Sequence, residues 1–195
     1  FGGAPCPAGG LPLGFCTFNG AGSSVTLSNP ATPPAPELPA VGTPNSVLQM
    51  NVDSTSFAGF IHGFSNPPTL DTWIPQDWST SEGISMWMYG TGSGSQLFID
   101  ILDNRNPGST TDDAERFTVP FVDDFTGWQL LEFPFANFVR KEIGNGAPND
   151  GLGLFEITPV AIVIVLAGLV FMAIGAVVGG LGAWLALLAV YSIPE

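Results

Sequence analysis

From Phe15 to Phe133 the chain repeatedly alternates apolar and polar residues with a period of two, the signature of half-buried strands, and offers almost no amphipathic helical stretch. Phe15–Asn19 and Ser23–Ser28 read as short strands around Gly20-Ala21-Gly22. Ser46–Asp53 and Phe57–Phe64 follow as an antiparallel pair, and Gly83–Tyr89 and Gln96–Leu102 as a hairpin across the Gly/Ser turn at 90–94. Arg116–Phe121 and Trp128–Phe133 give two more strands, and Phe135–Arg140 suits a single helical turn. Short strands at this spacing predict an all-β, two-sheet sandwich.

The pattern breaks at Val160. From there to Tyr191 there is no Asp, Glu, Lys, Arg, His, Asn, Gln, Ser, Thr or Pro. A bilayer core is crossed by about 20 helical residues, so the primary expectation is a single C-terminal transmembrane helix, centred on Leu166 to Val190. Trp184 and Tyr191 would sit at the far interface. Gly168, Gly175, Gly179 and Ala183 would form one small-residue stripe for helix packing, against a background of ordinary Gly/Ala richness. The competing expectation is two buried strands, Val160–Val165 and Trp184–Ile193, joined by a loop; the β-branched cluster Val160, Ile162, Val163, Ile164 and Val165 suits a strand.

Three segments follow. Residues 1–45 form a Gly/Pro-rich start with two short strands; residues 46–159 form the rest of the sandwich; residues 160–195 form the membrane anchor. Pro30, Pro33, Pro34, Pro36, Pro39 and Pro44 mark an extended surface excursion. Cys6 and Cys16, crowded by Pro and Gly, read as a disulfide closing a small loop in an oxidising compartment, or else as two free thiols. No signal peptide is evident at Phe1, which fits a processed start. A formal net charge of −13 repels nucleic acid. Charge bias is silent on orientation, since no Lys or Arg follows Lys141; the cysteines and the acidic sandwich favour the periplasmic or extracellular side.

The densest polar cluster is Asp100, Asp103, Asn104, Arg105, Asp112, Asp113, Glu115 and Arg116. Carboxylates at that density suit calcium or an acid/base pair, but the spacing matches no EF-hand, and Arg105 and Arg116 can equally neutralise their neighbours to shape a loop. No cofactor is called for, a structural calcium being the one ion left open. His62 is the only histidine and, with no nucleophile motif beside it, reads as a packed strand residue. Trp73 and Trp78 can stack on sugar rings, fill a partner's pocket or cap the core. With no phosphate loop, CxxC or HExxH in the chain, no catalytic residue is assigned and an enzyme is not expected.

The stretches WIPQDWSTSEGISMWMYG, LFIDILDNRNPGSTTDDAERF and DDFTGWQLLEFPFANFVRKEIGNGAPNDGLGL resemble the galactose-binding-like jelly-roll domains appended to bacterial exo-glucanases, themselves related to carbohydrate-binding modules and to the complex I intermediate-associated protein family. The resemblance implies a jelly-roll sandwich; the loop aromatics Trp73 and Trp78, with Asp103 and Arg105 of the polar cluster, are the expected ligand or partner contacts. Two departures stand out. Such domains usually open on an acidic segment and close on an Asp-bearing strand that together hold calcium, whereas this chain opens on Phe1-Gly2-Gly3 and ends in the apolar run. The closing strand is then left to Val160–Val165 or to a partner. The primary expectation is a non-catalytic, single-pass accessory subunit whose sandwich and helix bind a larger membrane protein complex, respiratory or photosynthetic. The alternative is a membrane-tethered module whose partner is a saccharide.

Overall fold

The computed structural model describes residues 15–31, 47–63, 75–103, 113–165 and 183–194. It is a sandwich of two antiparallel sheets. In chain order the strands are β1 (Phe15–Asn19), β2 (Ser24–Ala31), β3 (Val47–Asp53), β4 (Phe57–Gly63), β5 (Ser81–Thr91), β6 (Gln96–Asp103), β7 (Glu115–Val122), β8 (Thr126–Pro134), β9 (Val139–Arg140), β10 (Pro159–Val165) and β11 (Ala183–Pro194). A 3-10 turn at Phe135–Asn137 lies where the sequence predicts a helical turn. One sheet runs β1-β4-β10-β6-β7-β9, the other β2-β3-β11-β5-β8, so the expected pairing of β3 with β4 and the expected hairpin of β5 with β6 are corrected: at each turn the chain crosses to the other sheet.

Alternation fixes which residues face inward. Val25 and Leu27, Leu48, Met50 and Val52, and Ile84, Met86 and Met88 from one sheet meet Ala58 and Phe60, Leu97, Ile99 and Ile101, and Phe117 and Val119 from the other. Fully burying one such side chain contributes roughly 1.5–3 kcal/mol, so this layer outweighs any single polar contact. His62 packs against it, its ring stacked on Phe15 at 4.2 Å and 17°, and burial lowers its pKa. That is the packed role expected for it.

The apolar run is where the expectation changes. Both ends are strand, and each lies centrally. β10 pairs with β4 and β6, with Val163 opposite both Gly59 and Phe98. β11 pairs with β3 and β5, with Ala186 opposite both Gln49 and Tyr89. A strand hydrogen-bonded to neighbours on each side can be as free of charge as a membrane span, so the two read alike in sequence. The expected helix is therefore corrected from Ala183 onward: Ala183 opens β11 opposite Val52, and is not part of a helical stripe. Gly168, Gly175 and Gly179 lie outside the described residues. Among the described residues no helix is long and apolar enough to cross a membrane.

Candidate functional site

The outer face of the six-stranded sheet is unusually apolar for a surface. Ile61, Leu102 and Ala114 are buried there, with Cys16, Phe18 and Phe98 packed against them. On this floor stands one carboxylate. Asp100 alternates outward from Ile99 and Ile101, is 0 % exposed, and lies opposite Thr118 in the β6–β7 ladder. Its Oδ2 accepts a hydrogen bond from Lys141 Nζ at 3.0 Å, while Oδ1 and Thr118 Oγ1 are buried without a hydrogen-bond partner among the described residues.

Backbone pairing puts Lys141 in place. β9 pairs Arg140 with Phe117, and Lys141 N–H extends the ladder by donating to Arg116 O at 2.8 Å. Its ammonium sits 5.7 Å from the Phe98 ring centroid, and its side chain is 36 % exposed. A buried anion held by a partly exposed cation keeps that cation fixed, and the ring beneath adds a cation–π attraction. The result is a rigid donor above apolar and aromatic surface, with buried acceptors under it. Such a mixture suits a ligand having both C–H faces and hydroxyls.

Other carboxylates of the predicted polar cluster are used inside the protein. Glu115 is ion-paired with Arg140, which also donates to Glu142 at 2.5 Å and to Pro148 O at 3.1 Å. Asp103 is buried at the end of β6 and accepts the Gly153 N–H at 2.5 Å. Burial pushes its pKa up to about 7, with Glu115, Glu156 and Asp150 adding repulsion against the Gly153 hydrogen bond. Asp103 thus anchors the 150–157 loop. Among the described residues no three His, Cys, Asp or Glu groups converge as metal ligands. Glu115 and Asp100 are neutralised by Arg140 and Lys141, both remote in sequence.

Trp78 is half-buried and packs on the main core, stacked on Phe135 at 6.1 Å and 18°, with its backbone N–H donating to Leu154 O at 2.7 Å. Its ring helps to cap the core. Trp73, Arg105 and Cys6 lie outside the described residues; Cys16 is half-buried on β1 opposite Ile61. Sequence reasoning passed over Lys141, and also Asp123, whose buried carboxylate accepts Thr91, Gly92 and Ser93 N–H groups at 3.0–3.3 Å and closes the β5–β6 turn. The only local signal for Asp100 is an acid inside an apolar alternating run.

Comparison with known proteins adds to this. The family described as "Carbohydrate binding domain (family 11)" matches residues 22–160. The family 11 module of Clostridium thermocellum, solved with a β-1,3-1,4-mixed-linked tetrasaccharide, aligns with a TM-score of 0.65 at 16 % identity, covering 94 % of this chain and 90 % of that one. The family 11 module of the cellulosomal cellulase Lic26A-Cel5E from the same organism gives 0.64 at 15 % identity, covering 94 % and 89 %. An exo-β-agarase gives 0.54 at 14 % identity, covering 97 % of this chain and 24 % of that one. At these identities the likeness is one of fold. No curated protein matches the chain.

Proposed function

The chain belongs to the family 11 carbohydrate-binding domains, and from that premise we propose that it is a binding module whose outer six-stranded face takes a neutral β-glucan. The observation that carries this is Lys141, fixed by buried Asp100 above the Phe98 ring on an apolar floor. Sugar C–H faces lie on the partly exposed Phe98 ring, with Phe18 farther along the same row on β1, and hydroxyls accept from Lys141. Binding of this kind needs no net charge on the ligand. A chain at −13 favours a neutral polymer over an anionic one.

The module reading replaces the accessory-subunit expectation as the better supported, because the anchor helix on which that expectation depended has strand at both ends. We also assign Cys16 to a disulfide with Cys6 and hence the protein to an oxidising compartment; the support is that the chain has two cysteines and no free one occurs among the described residues. Affinity electrophoresis of the full chain in gels containing β-1,3-1,4-glucan tests the function. Retardation that Lys141→Ala reduces tenfold or more is expected; unchanged retardation by that variant sinks the site, and no retardation by this glucan, xylan or agarose sinks the function.

A further inference from the structure

The other outer face, on the five-stranded sheet, carries different chemistry. Register runs one row across all five strands: Ser28 opposite Gln49, Gln49 opposite Ala186, Ala186 opposite Tyr89, and Tyr89 opposite Trp128. Directly opposed residues in an antiparallel ladder share a face. Asn51 lies beside Gln49 and donor and acceptor meet at 3.4 Å, while Trp87, opposite Leu130, lies beside Tyr89. The inward neighbours Met50, Met86 and Met88 are at most 1 % exposed, whereas Gln49, Asn51, Trp87, Tyr89 and Trp128 all reach solvent, and Leu130 is 42 % exposed.

Two aromatic positions on neighbouring strands are braced. The Tyr89 and Trp128 rings meet edge to face at 5.3 Å and 79°, so each is held by the other. Across β11 the face changes to carboxamide and hydroxyl groups, with Ser24, Thr26 and Ser28 along β2. The basic residues among those described, Arg116, Arg140 and Lys141, all belong to the other sheet's β7–β9 edge. An anionic partner therefore finds no cation here, and Asp53 and Glu132 on the same face repel it. The β2 and β3 half of this face carries hydrogen-bonding side chains, which suit a ligand rich in hydroxyls.

We propose that this face is a second saccharide-binding surface, taking a neutral polysaccharide chain laid across the strands from Trp128 toward Gln49. It is separate from the Lys141 site and stands without it. The row spans four inter-strand spacings, about 19 Å, long enough for several sugar rings. Rings at one end supply stacking and carboxamides at the other supply hydrogen bonds. With one surface on each side of the sandwich, a single copy holds two polymer chains.

The test uses the full chain in β-1,3-1,4-glucan gels, with Trp128→Ala, the pair Gln49→Ala and Asn51→Ala, and Lys141→Ala, each with its unfolding midpoint and its solution size measured. Losing one aromatic platform is expected to weaken retardation about two- to tenfold. The carboxamide pair checks the same face without removing a ring. Residual retardation in Lys141→Ala that Trp128→Ala then removes supports two surfaces. Retardation lost with Trp128→Ala and untouched by Lys141→Ala keeps this surface and sinks the Lys141 reading. If both five-stranded-face variants migrate like the parent while Lys141→Ala does not, the second surface falls and the first stands. A change in solution size on Trp128→Ala with retardation unchanged makes this face an interface between copies and overturns the proposal.

Discussion

The two outer faces of the sandwich solve the same packing problem in opposite ways. On the six-stranded sheet the outward residues are themselves a buried layer, Ile61, Leu102 and Ala114, and its exposed cation is pinned by an acid that water does not reach. On the five-stranded sheet the outward residues remain wet, with rings on β5 and β8 and amides and hydroxyls on β3 and β2. The first face is therefore part of the protein's stability and the second is largely surplus to it. A residue on the first face is coupled to folding; one on the second is free to serve binding alone.

The sharpest break in that contrast comes from the strand beneath the first face. Val163→Pro removes a ladder donor from β10 between β4 and β6, and should cost about 3 kcal/mol or more, seen as loss of the cooperative urea transition. Lys141→Ala comes next, because it leaves a buried carboxylate unpaired; a loss of about 2 kcal/mol is expected, with Asp100→Asn added to it recovering part. If Lys141→Ala left the urea midpoint unmoved, the claim that this face is structural would be wrong. Trp128→Ala on the second face should cost only about 1 kcal/mol, mostly its edge contact with Tyr89, so its effect on glucan retardation should exceed its effect on the midpoint.

A pH slope belongs to neither face. Asp103 binds its proton more tightly folded than unfolded, with its pKa raised from 3.8 to about 7. Its contribution is thus fully present below about 4 and is lost as pH rises toward 7. Urea midpoints measured between pH 4 and 8 should fall over that window, and Asp103→Asn should flatten the fall. An identical slope in the variant would assign it elsewhere.

Much of the architecture is legible in the residues. The alternation of Val25 and Leu27, of Leu48, Met50 and Val52, and of Ile84, Met86 and Met88 marks strands and inward faces without any tertiary information, because the side-chain period of a strand is two. The candidate site is much less legible. Asp100 and Lys141 stand 41 residues apart, and no local pattern connects an acid in β6 to a lysine after β9. Trp78 shows the reverse difficulty, since a loop tryptophan reads equally as platform or cap until its stacking on Phe135 is known.

By itself, then, the sequence determined a β-sandwich with its inward faces, an acidic surface closed to nucleic acid, and an uncharged run that had to be hidden from water. Only the tertiary structure decided where the two ends of that run lie. A continuous apolar stretch records that both sides of a segment are covered but not what covers them, and lipid and neighbouring strands satisfy it equally. The pairing of β10 with β4 and β6, and of β11 with β3 and β5, supplies the answer that composition lacks.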